Sequence, residues 1–339
     1  MQLKNIYSMR NSNSEVYSDL IYEWEDDYSK HFKIPIYSYT KYHDKYIRYF
    51  FKILYKLNLG RVIQLLDKIK NPQKLSLVFE LYPRKYFSFQ VFSNKIPFII
   101  DFDYNVNLNV FYSVYKNCKL ILISSLEAFN YLKANKCPLN IAHLPLSISD
   151  KNVLEPDTVK NKEFDVIVVR SNKVFIEYIE RFSNKYPDFE FVVRRWEGTQ
   201  LYKNNVYFSN KRGILGEFSD RNSYFNLLKK AKIALYATPG FDENNKRFMN
   251  HVTPSLFEFI ASGCRIIARY PTNSETTFFG LEKISPNVDT YEKFENLLVS
   301  YIKDISFNYL LESKSFLETI YTKRRIEKLK EILKRLNKA

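Results

Sequence analysis

The chain has 339 residues, of which 45% are hydrophobic, enough to fill the cores of two ordinary domains. Its formal net charge of +15 favours anionic partners (phosphates, anionic lipid or nucleic acid) without choosing among them. The three cysteines form no CxxC pair and the four histidines no HxxxH or HxxH spacing, which argues against a disulfide framework and a structural metal. No apolar run has the length of a signal-peptide core or a membrane span, so we expect a soluble or membrane-peripheral protein.

Strands and helices alternate along the first half of the chain. Apolar stretches predict strands at residues 3–9, 34–39, 75–81, 97–102, 119–124 and 138–148, and helical spacing predicts helices at 16–32, 44–70 (with a break near Gly60) and 126–134. This order is typical of a parallel sheet in a Rossmann-like domain, whose ligands bind beyond the carboxyl ends of the strands. The polar residues that this rule selects are Glu80, Tyr82, Arg84, Asp101, Asp103 and Ser124.

The predicted helix at 44–70 carries a row of basic residues on one face, with aromatic and aliphatic residues around them. The basic residues are Lys45, Arg48, Lys52 and Lys56, and their neighbours are Tyr46, Tyr49, Phe50 and Ile53. This pattern suits an anionic membrane interface, where rings and lysine stems lie at the depth of the headgroups. The commoner alternative is a solvated charged face over a buried apolar one.

A polar stretch at residues 149–163 is predicted to link this half to a second αβ series. Strands are predicted at 164–170, 189–194, 205–208, 233–236 and 264–268, and helices at 173–186, 222–230, 254–262 and 291–302, before a basic, helix-rich end at 307–336. Asn172, Asp220 and Thr253 are predicted N-caps, because their side-chain oxygens can accept from the first N–H groups of a helix.

Glu258 is the unusual residue of the helix at 254–262. It lies between Phe257 and Phe259, which predicts a carboxylate of low exposure. Such a carboxylate can accept two hydroxyl hydrogen bonds, as the two hydroxyls of a ribose would offer. The alternative is an ordinary solvated helix glutamate.

Residues 255–267, SLFEFIASGCRII, resemble the nucleotide-sugar site of the retaining glycosyltransferases of family 4, in which a helix glutamate is followed by small-Gly-x-Pro-Val-Ile. The resemblance implies the α/β GT-B fold, with two Rossmann-like domains facing each other across a cleft and a C-terminal helix that crosses back to the first. It also implies that Glu258 binds the ribose of the donor.

The resemblance also implies a site for the donor diphosphate. In the family the first strand of the second domain ends in Gly-Arg, with a lysine shortly after. Here the run is Val169-Arg170-Ser171-Asn172-Lys173, without the glycine. A cation there stabilises the charge of the leaving diphosphate, and the helix N-terminus after the loop at 240–253 can attract a phosphate. The donor-binding candidates beside Glu258 are Arg170, Lys173, Arg194, Arg195, Gly240, Lys246, Arg247, Thr253 and Ser255.

The catalytic candidates come from one position that differs from the family pattern and from one short acidic motif. Many family members carry a glutamate eight positions before the helix glutamate, where this chain has Asn250, followed by His251. Asp101 and Asp103 form a DxD pattern that can hold Mg²⁺ or Mn²⁺ in a different glycosyltransferase fold. Because this pair ends a strand of the first half, we interpret it as an acceptor-side group and predict no metal site.

We therefore expect an acceptor domain at residues 1–150, a linker at 151–163, a nucleotide-sugar domain at 164–305 and basic helices returning to the first domain at 306–339. The resemblance implies metal-independent transfer of a sugar from a nucleotide-diphosphate sugar to a glycan, with no cofactor beyond the donor. The charge suggests a polyprenyl-linked or other lipid-linked acceptor, as in bacterial capsule or O-antigen assembly. The predicted location is cytoplasmic or peripheral on the inner face of the plasma membrane, next to anionic lipid.

Two alternatives remain open at the level of sequence. The charge and the aromatic content of 17% also suit a nucleic-acid-binding protein, but the chain lacks an RNP motif, a zinc-finger pattern and an Arg-Gly segment, so we expect no nucleic-acid partner. A catalytically inert GT-B scaffold is the second alternative, because Asn250 replaces the usual glutamate.

Overall fold

The computed structural model describes residues 2–11, 18–69, 74–154, 162–169, 172–195, 206–218, 220–242, 249–304 and 308–336. The chain divides into two compact units, one formed by Met1–Ser149 with Thr322–Ala339 and the other by Asp150–Tyr321. The segment predicted to return to the first domain, 306–339, is thus divided between the units at Thr322.

The first unit contains a six-stranded, all-parallel sheet in the order β2-β1-β3-β4-β5-β6. Its elements are β1 (Gln2–Ser8), α1 (Asp19–Phe32), β2 (Ile36–Ser38), α2 (Lys41–Lys56), α3 (Gly60–Ile69), β3 (Lys74–Glu80), β4 (Lys95–Ile99), α4 (Leu108–Tyr115), β5 (Ile121–Ile123), α5 (Leu126–Ala134) and β6 (Ile141–His143). The parallel sheet predicted from the alternation is confirmed. The strand predicted at 138–148 was too long, because only the three residues of β6 pair with β5.

The second unit also contains a six-stranded sheet, in the order β10-β9-β8-β7-β11-β12. Its elements are β7 (Phe164–Val168), α6 (Lys173–Lys185), β8 (Phe191–Arg195), β9 (Val206–Ser209), β10 (Gly213–Glu217), α7 (Arg221–Lys229), β11 (Ala231–Ala237), α8 (Pro254–Ala261), β12 (Arg265–Arg269), α9 (Ser274–Phe278), α10 (Leu281–Ile284), α11 (Tyr291–Lys303) and α12 (Tyr309–Ile320). The helix α13 (Thr322–Leu336) follows and belongs to the first unit.

Strands β9 and β10 form an antiparallel hairpin at one edge of the second sheet, and β10 was missed by the sequence analysis. The strand contains Gly216, whose φ of 129° is open to glycine but strained for other residues. A register shift between Ile214 and Gly216 accompanies it. A short strand with two glycines and an irregular register gives little alternating pattern from which to predict it.

Helix α13 is tied to the chain that follows β6. The Thr322 backbone N–H donates to the Ile148 carbonyl at 2.9 Å, and its hydroxyl contacts the Ser147 hydroxyl at 3.2 Å. Arg325, which is only 8% exposed, donates from Nε to the Leu146 carbonyl at 3.0 Å. These donors satisfy carbonyl groups outside the named strands, so α13 holds the segment that follows β6.

Each core also contains a thiol. Cys118 is buried in the first unit, with Sγ 3.4 Å from the Val91 carbonyl, and Cys264 is buried in the second, 3.3 Å from the Leu228 carbonyl. Among the described residues, no helix combines the length and the apolar character needed to cross a membrane.

Candidate functional site

Four parallel strands of the second sheet (β8, β7, β11 and β12) end at the same edge. Polar residues lie at or just beyond each of these ends. Asn172 lies beyond β7, Arg194 near the end of β8, Asp242 beyond β11, and Arg269 ends β12. This edge is where a parallel αβ sheet places its ligands.

An ion pair between the buried Arg269 and the partly buried Asp242, which also accepts from Asn172, connects three of these strand ends. Arg269 donates to both oxygens of Asp242, from Nε at 2.9 Å and from Nη2 at 2.5 Å, and from Nη1 to the Val288 carbonyl at 2.6 Å. Asn172 Nδ2 donates to Asp242 Oδ2 at 2.7 Å. Burial raises the pKa of Asp242, but the hydrogen bonds from Arg269 and Asn172 outweigh it and hold the pKa below its ordinary value. Sequence reasoning missed Arg269, whose only signal was a charge at the end of an apolar strand.

Glu258 lies on α8 and is 5% exposed, so it is not a solvated helix glutamate. Its Oε1 accepts from Arg221 Nη1 at 2.5 Å, and its Oε2 accepts from the Tyr224 hydroxyl at 3.2 Å. Both donors come from α7, the helix that precedes β11. A carboxylate has about four lone-pair positions, so Glu258 keeps capacity for further donors.

Two tyrosines, the buried Tyr207 and the partly buried Tyr224, respond to the charge of Glu258. Tyr207 on β9 lies directly opposite Arg194 on β8 in the antiparallel register. Burial raises the pKa of Tyr207, the charge of Arg194 lowers it and the charge of Glu258 raises it, so both charges lie within electrostatic reach of one hydroxyl. Burial, followed by the charge of Glu258, raises the pKa of Tyr224 well above its ordinary value. The charges of Arg194 and Glu258, two of the predicted donor-binding residues, thus both act on the Tyr207 hydroxyl.

The start of α8 corrects one prediction. Thr253 precedes the helix, but its side chain does not cap it. Its hydroxyl contacts the Ser255 hydroxyl at 2.8 Å, and its backbone N–H donates to the Tyr236 hydroxyl at 3.0 Å. The cap prediction was wrong because a buried phenol from β11 and the neighbouring serine engage Thr253 instead. The caps predicted at Asn172 and Asp220 are confirmed, since each side chain accepts from backbone N–H groups of its helix.

The other predicted site residues of this unit have contacts separate from those of Glu258. His251 is 7% exposed, with Nδ1 3.1 Å from the Met249 carbonyl, and the Asn250 carbonyl accepts from Asn273 Nδ2 at 3.0 Å. Gly240 has a φ of 76° in the turn after β11, and Lys173 is exposed at the first position of α6. Arg170, Lys246 and Arg247 lie outside the described residues, as does the side chain of Arg195.

In the first unit, Asp101 and Asp103 follow β4 and are partly exposed. Asp103 Oδ1 accepts from the backbone N–H of Asn105 at 3.0 Å. Across the described part of the chain, no three acidic, histidine or cysteine side chains gather in a group that could hold a metal ion.

A separate network in the first unit lies at the end of β3. Arg84 Nε donates to Glu80 Oε1 at 2.9 Å, the Tyr115 hydroxyl donates to Glu80, and the backbone N–H of Arg84 donates to the Tyr115 hydroxyl at 2.9 Å. Glu80 is 3% exposed, so its carboxylate interacts with Arg84 and Tyr115 inside the protein.

No protein-family model and no curated protein sequence matches this chain. Several solved structures, however, are similar to this chain in fold. Sucrose-phosphate synthase from Thermosynechococcus elongatus is similar with a TM-score of 0.59 and 10% identity, covering 99% of each chain. Anabaena HepE in complex with UDP-glucose is similar with a TM-score of 0.56 and 9% identity, covering 98% of this chain and 100% of that one.

A third similar structure is longer than this chain. The pneumococcal O-GlcNAc transferase GtfA in complex with UDP and GlcNAc has a TM-score of 0.50 and 13% identity, over 81% of this chain. This chain spans 59% of that structure, and 61% of the chain matched in a GtfA/B complex. At these identities the likeness concerns the fold, and the chain has the two-domain GT-B fold.

Proposed function

We propose that this protein is a glycosyltransferase of the family-4 type, which moves a sugar from a nucleoside-diphosphate sugar to a glycan acceptor carried on a lipid. The observation that carries the proposal is the buried carboxylate of Glu258 on α8, in the unit in which Arg194 on β8 lies opposite Tyr207. Buried carboxylates that keep acceptor capacity bind hydroxyl pairs well, and arginine binds phosphate. Ribose and diphosphate are the two parts of the donor that these residues would recognise.

The donor base we propose is uracil. HepE and GtfA are described with UDP-glucose and with UDP, and both share this fold. In this chain Glu258 would accept from the ribose, while Arg194, Lys173 and the N-terminus of α8 would bind the diphosphate. These cations would stabilise the leaving group, so the proposal includes metal-independent transfer, and activity should persist in the presence of a chelator.

The acceptor side of the proposal rests on the first unit and on charge. Asp101 and Asp103 would bind the acceptor hydroxyl, with Asn250 and His251 near the transferred sugar. The net charge of +15 suits a polyprenyl-phosphate carrier at the inner face of a bacterial plasma membrane, as in capsule or O-antigen assembly.

Thermal shift against UDP, GDP, ADP, CMP and dTDP tests donor binding. A ligand that binds only the native state raises the melting midpoint by mass action, and we expect UDP alone to do so. Glu258→Gln, which keeps the shape of the side chain, should lose most of the UDP shift. The matched control is Glu282→Gln, an exposed glutamate of the same unit, which should keep it. Equal UDP shifts in both variants would remove Glu258 from the site.

Donor hydrolysis distinguishes an enzyme from an inert scaffold. Slow release of UDP from UDP-sugars in the absence of acceptor would show that the site activates the glycosidic bond. Arg194→Gln should reduce this release at least about tenfold, because it removes a charge from the leaving group. UDP binding without release from any UDP-sugar would favour the scaffold.

A further inference from the structure

Helix α2 presents apolar side chains on two opposite faces. On the inner face, Phe51 and Leu54 are 5% and 6% exposed and pack against Phe89 and Phe92 of the first unit. A helix of a soluble domain ordinarily shows polar residues opposite such a face. The outer face of α2 therefore requires a different explanation.

The outer face of α2 is a stripe of tyrosines. Tyr42, Tyr46, Tyr49 and Ile53 follow one another at helical spacing, so they lie above each other on one side. They are 77%, 75%, 65% and 38% exposed. At about 150–250 Å² for an aromatic side chain, the three tyrosines alone expose roughly 400 Å², which is comparable with the largest apolar patch of a typical monomer.

Exposed apolar side chains continue along the chain beyond α2. Leu57 and Leu59, in the turn before α3, are 61% and 39% exposed, and Leu65 on α3 is 61% exposed. Ten of the eighteen exposed large hydrophobic side chains among the described residues lie between positions 42 and 65. Scattered exposed hydrophobic residues are normal, but this concentration indicates an interaction site.

A row of positive charge runs beside the tyrosine stripe. Lys45, Lys52 and Lys56 are exposed and lie on one flank of it, and Asp44 is the single acidic residue in the sequence of α2. Lysine side chains can extend their apolar stems along such a stripe while the ammonium groups reach outward. The surface therefore combines rings, aliphatic side chains and cations.

We infer that the α2–α3 surface, defined by Tyr42, Lys45, Tyr46, Tyr49, Lys52, Ile53, Lys56, Leu57, Leu59 and Leu65, docks on an anionic lipid membrane. Tyrosine rings suit the headgroup region, lysines attract anionic lipid, and the leucines enter the acyl boundary. A second copy of the chain would bring like charges together. A nucleic acid would pair with the lysines and the rings but leave the aliphatic side chains exposed. The inference goes beyond the proposed reaction, since it depends on this surface alone.

Co-sedimentation with lipid vesicles tests the inference without any measurement of activity. The probes are vesicles of phosphatidylcholine, and vesicles in which phosphatidylglycerol replaces part of it. The full chain should sediment with the second kind and much less with the first. Tyr42→Ser, Tyr46→Ser and Tyr49→Ser combined should weaken partitioning at least about tenfold, because the rings no longer enter the interface. Lys45→Gln, Lys52→Gln and Lys56→Gln combined should weaken it roughly a hundredfold, since each lysine near an anionic surface contributes about a factor of five.

Two matched control variants distinguish binding through this surface from nonspecific binding to vesicles. Lys323→Gln, Lys334→Gln and Arg335→Gln remove the same charge from exposed positions of α13, and Ile214→Ser with Leu311→Ser removes exposed apolar side chains of the second unit. Both should sediment as the unchanged protein does. Failure of the unchanged protein to sediment, or equal losses in the controls, would overturn the inference. If the unchanged protein binds an oligonucleotide but not vesicles, and the tyrosine variant no longer binds the oligonucleotide, the surface would be assigned to nucleic acid instead.

Discussion

The two units secure the chain beyond their sheets in different ways. In the second unit, Asp242 and Arg269 form an ion pair, and they are 27 residues apart in the sequence. In the first unit, the segment after β6 is held by Thr322 and Arg325, which lie 175 and 179 residues further along the chain. Segments beyond the strands are thus held by nearby sequence in one unit and by the distant α13 in the other. The stability of the two units should therefore respond to different parts of the chain.

Arg269→Leu should have the largest effect on stability. It leaves the partly buried carboxylate of Asp242 without its charged partner, which costs about 3 kcal/mol, the lower end of the range for buried pairs. Urea unfolding monitored by circular dichroism measures it. The control is Lys293→Gln, which removes an exposed partner of Asp289 and should change stability by less than about 1 kcal/mol. Similar losses in the two variants would mean that the Asp242 pair does not hold the strand ends together.

Arg325→Leu should destabilise the first unit by about 2 kcal/mol, because the Leu146 carbonyl loses a charged donor in a buried place. Arg324→Leu changes the neighbouring residue, which is exposed and pairs with Glu327, and should have almost no effect. Limited proteolysis read by peptide mapping assigns the loss to a unit. Cleavage that increases equally in both units would contradict the separate roles described above.

The smallest predicted effect is a pH dependence of the first unit. His143 lies at the end of β6, with Nε2 3.1 Å from the Ser124 carbonyl. Burial, and then the positive charge of Lys328, lowers the pKa of His143 from 6.5 to about 4. The unfolded chain therefore binds more protons between these values, and stability falls as pH decreases through that window.

On going from neutral pH to about pH 5, His143→Gln should lose about 1 kcal/mol less stability than the unchanged protein. The comparison between the two proteins cancels every other titrating group that the substitution leaves undisturbed. His43→Gln, at an exposed histidine, is the control and should follow the unchanged protein. Parallel pH profiles for all three proteins would show that His143 titrates normally.

The sequence predicted best what local rules determine. The parallel first sheet and the four parallel strands of the second follow from the alternation of apolar strands with helices, and the caps at Asn172 and Asp220 need only their own helix. The low exposure of Glu258 follows from its two phenylalanine neighbours. Each of these features is decided within a few residues.

Features that depend on distant partners were predicted poorly. Arg269 was missed because its partner is 27 residues away, and Thr253 was misjudged because the phenol of Tyr236 comes from another strand. The boundary at Thr322 has neither glycine nor proline to mark it. Tyr321 separates α12 from α13 by adopting an extended ψ of 148°, and tertiary hydrogen bonds then begin a new helix in the other unit.

The placement of the thiols gives each unit its own chemical reporter. Burial raises the pKa of both Cys118 and Cys264, so little of the reactive thiolate forms while the units stay folded. Cys137 is the third cysteine of the sequence and is only partly buried, so Cys137→Ser would leave one protected thiol in each unit. The rate at which an alkylating reagent labels each remaining cysteine then measures how often that unit opens, and mass spectrometry can follow both openings in a single sample.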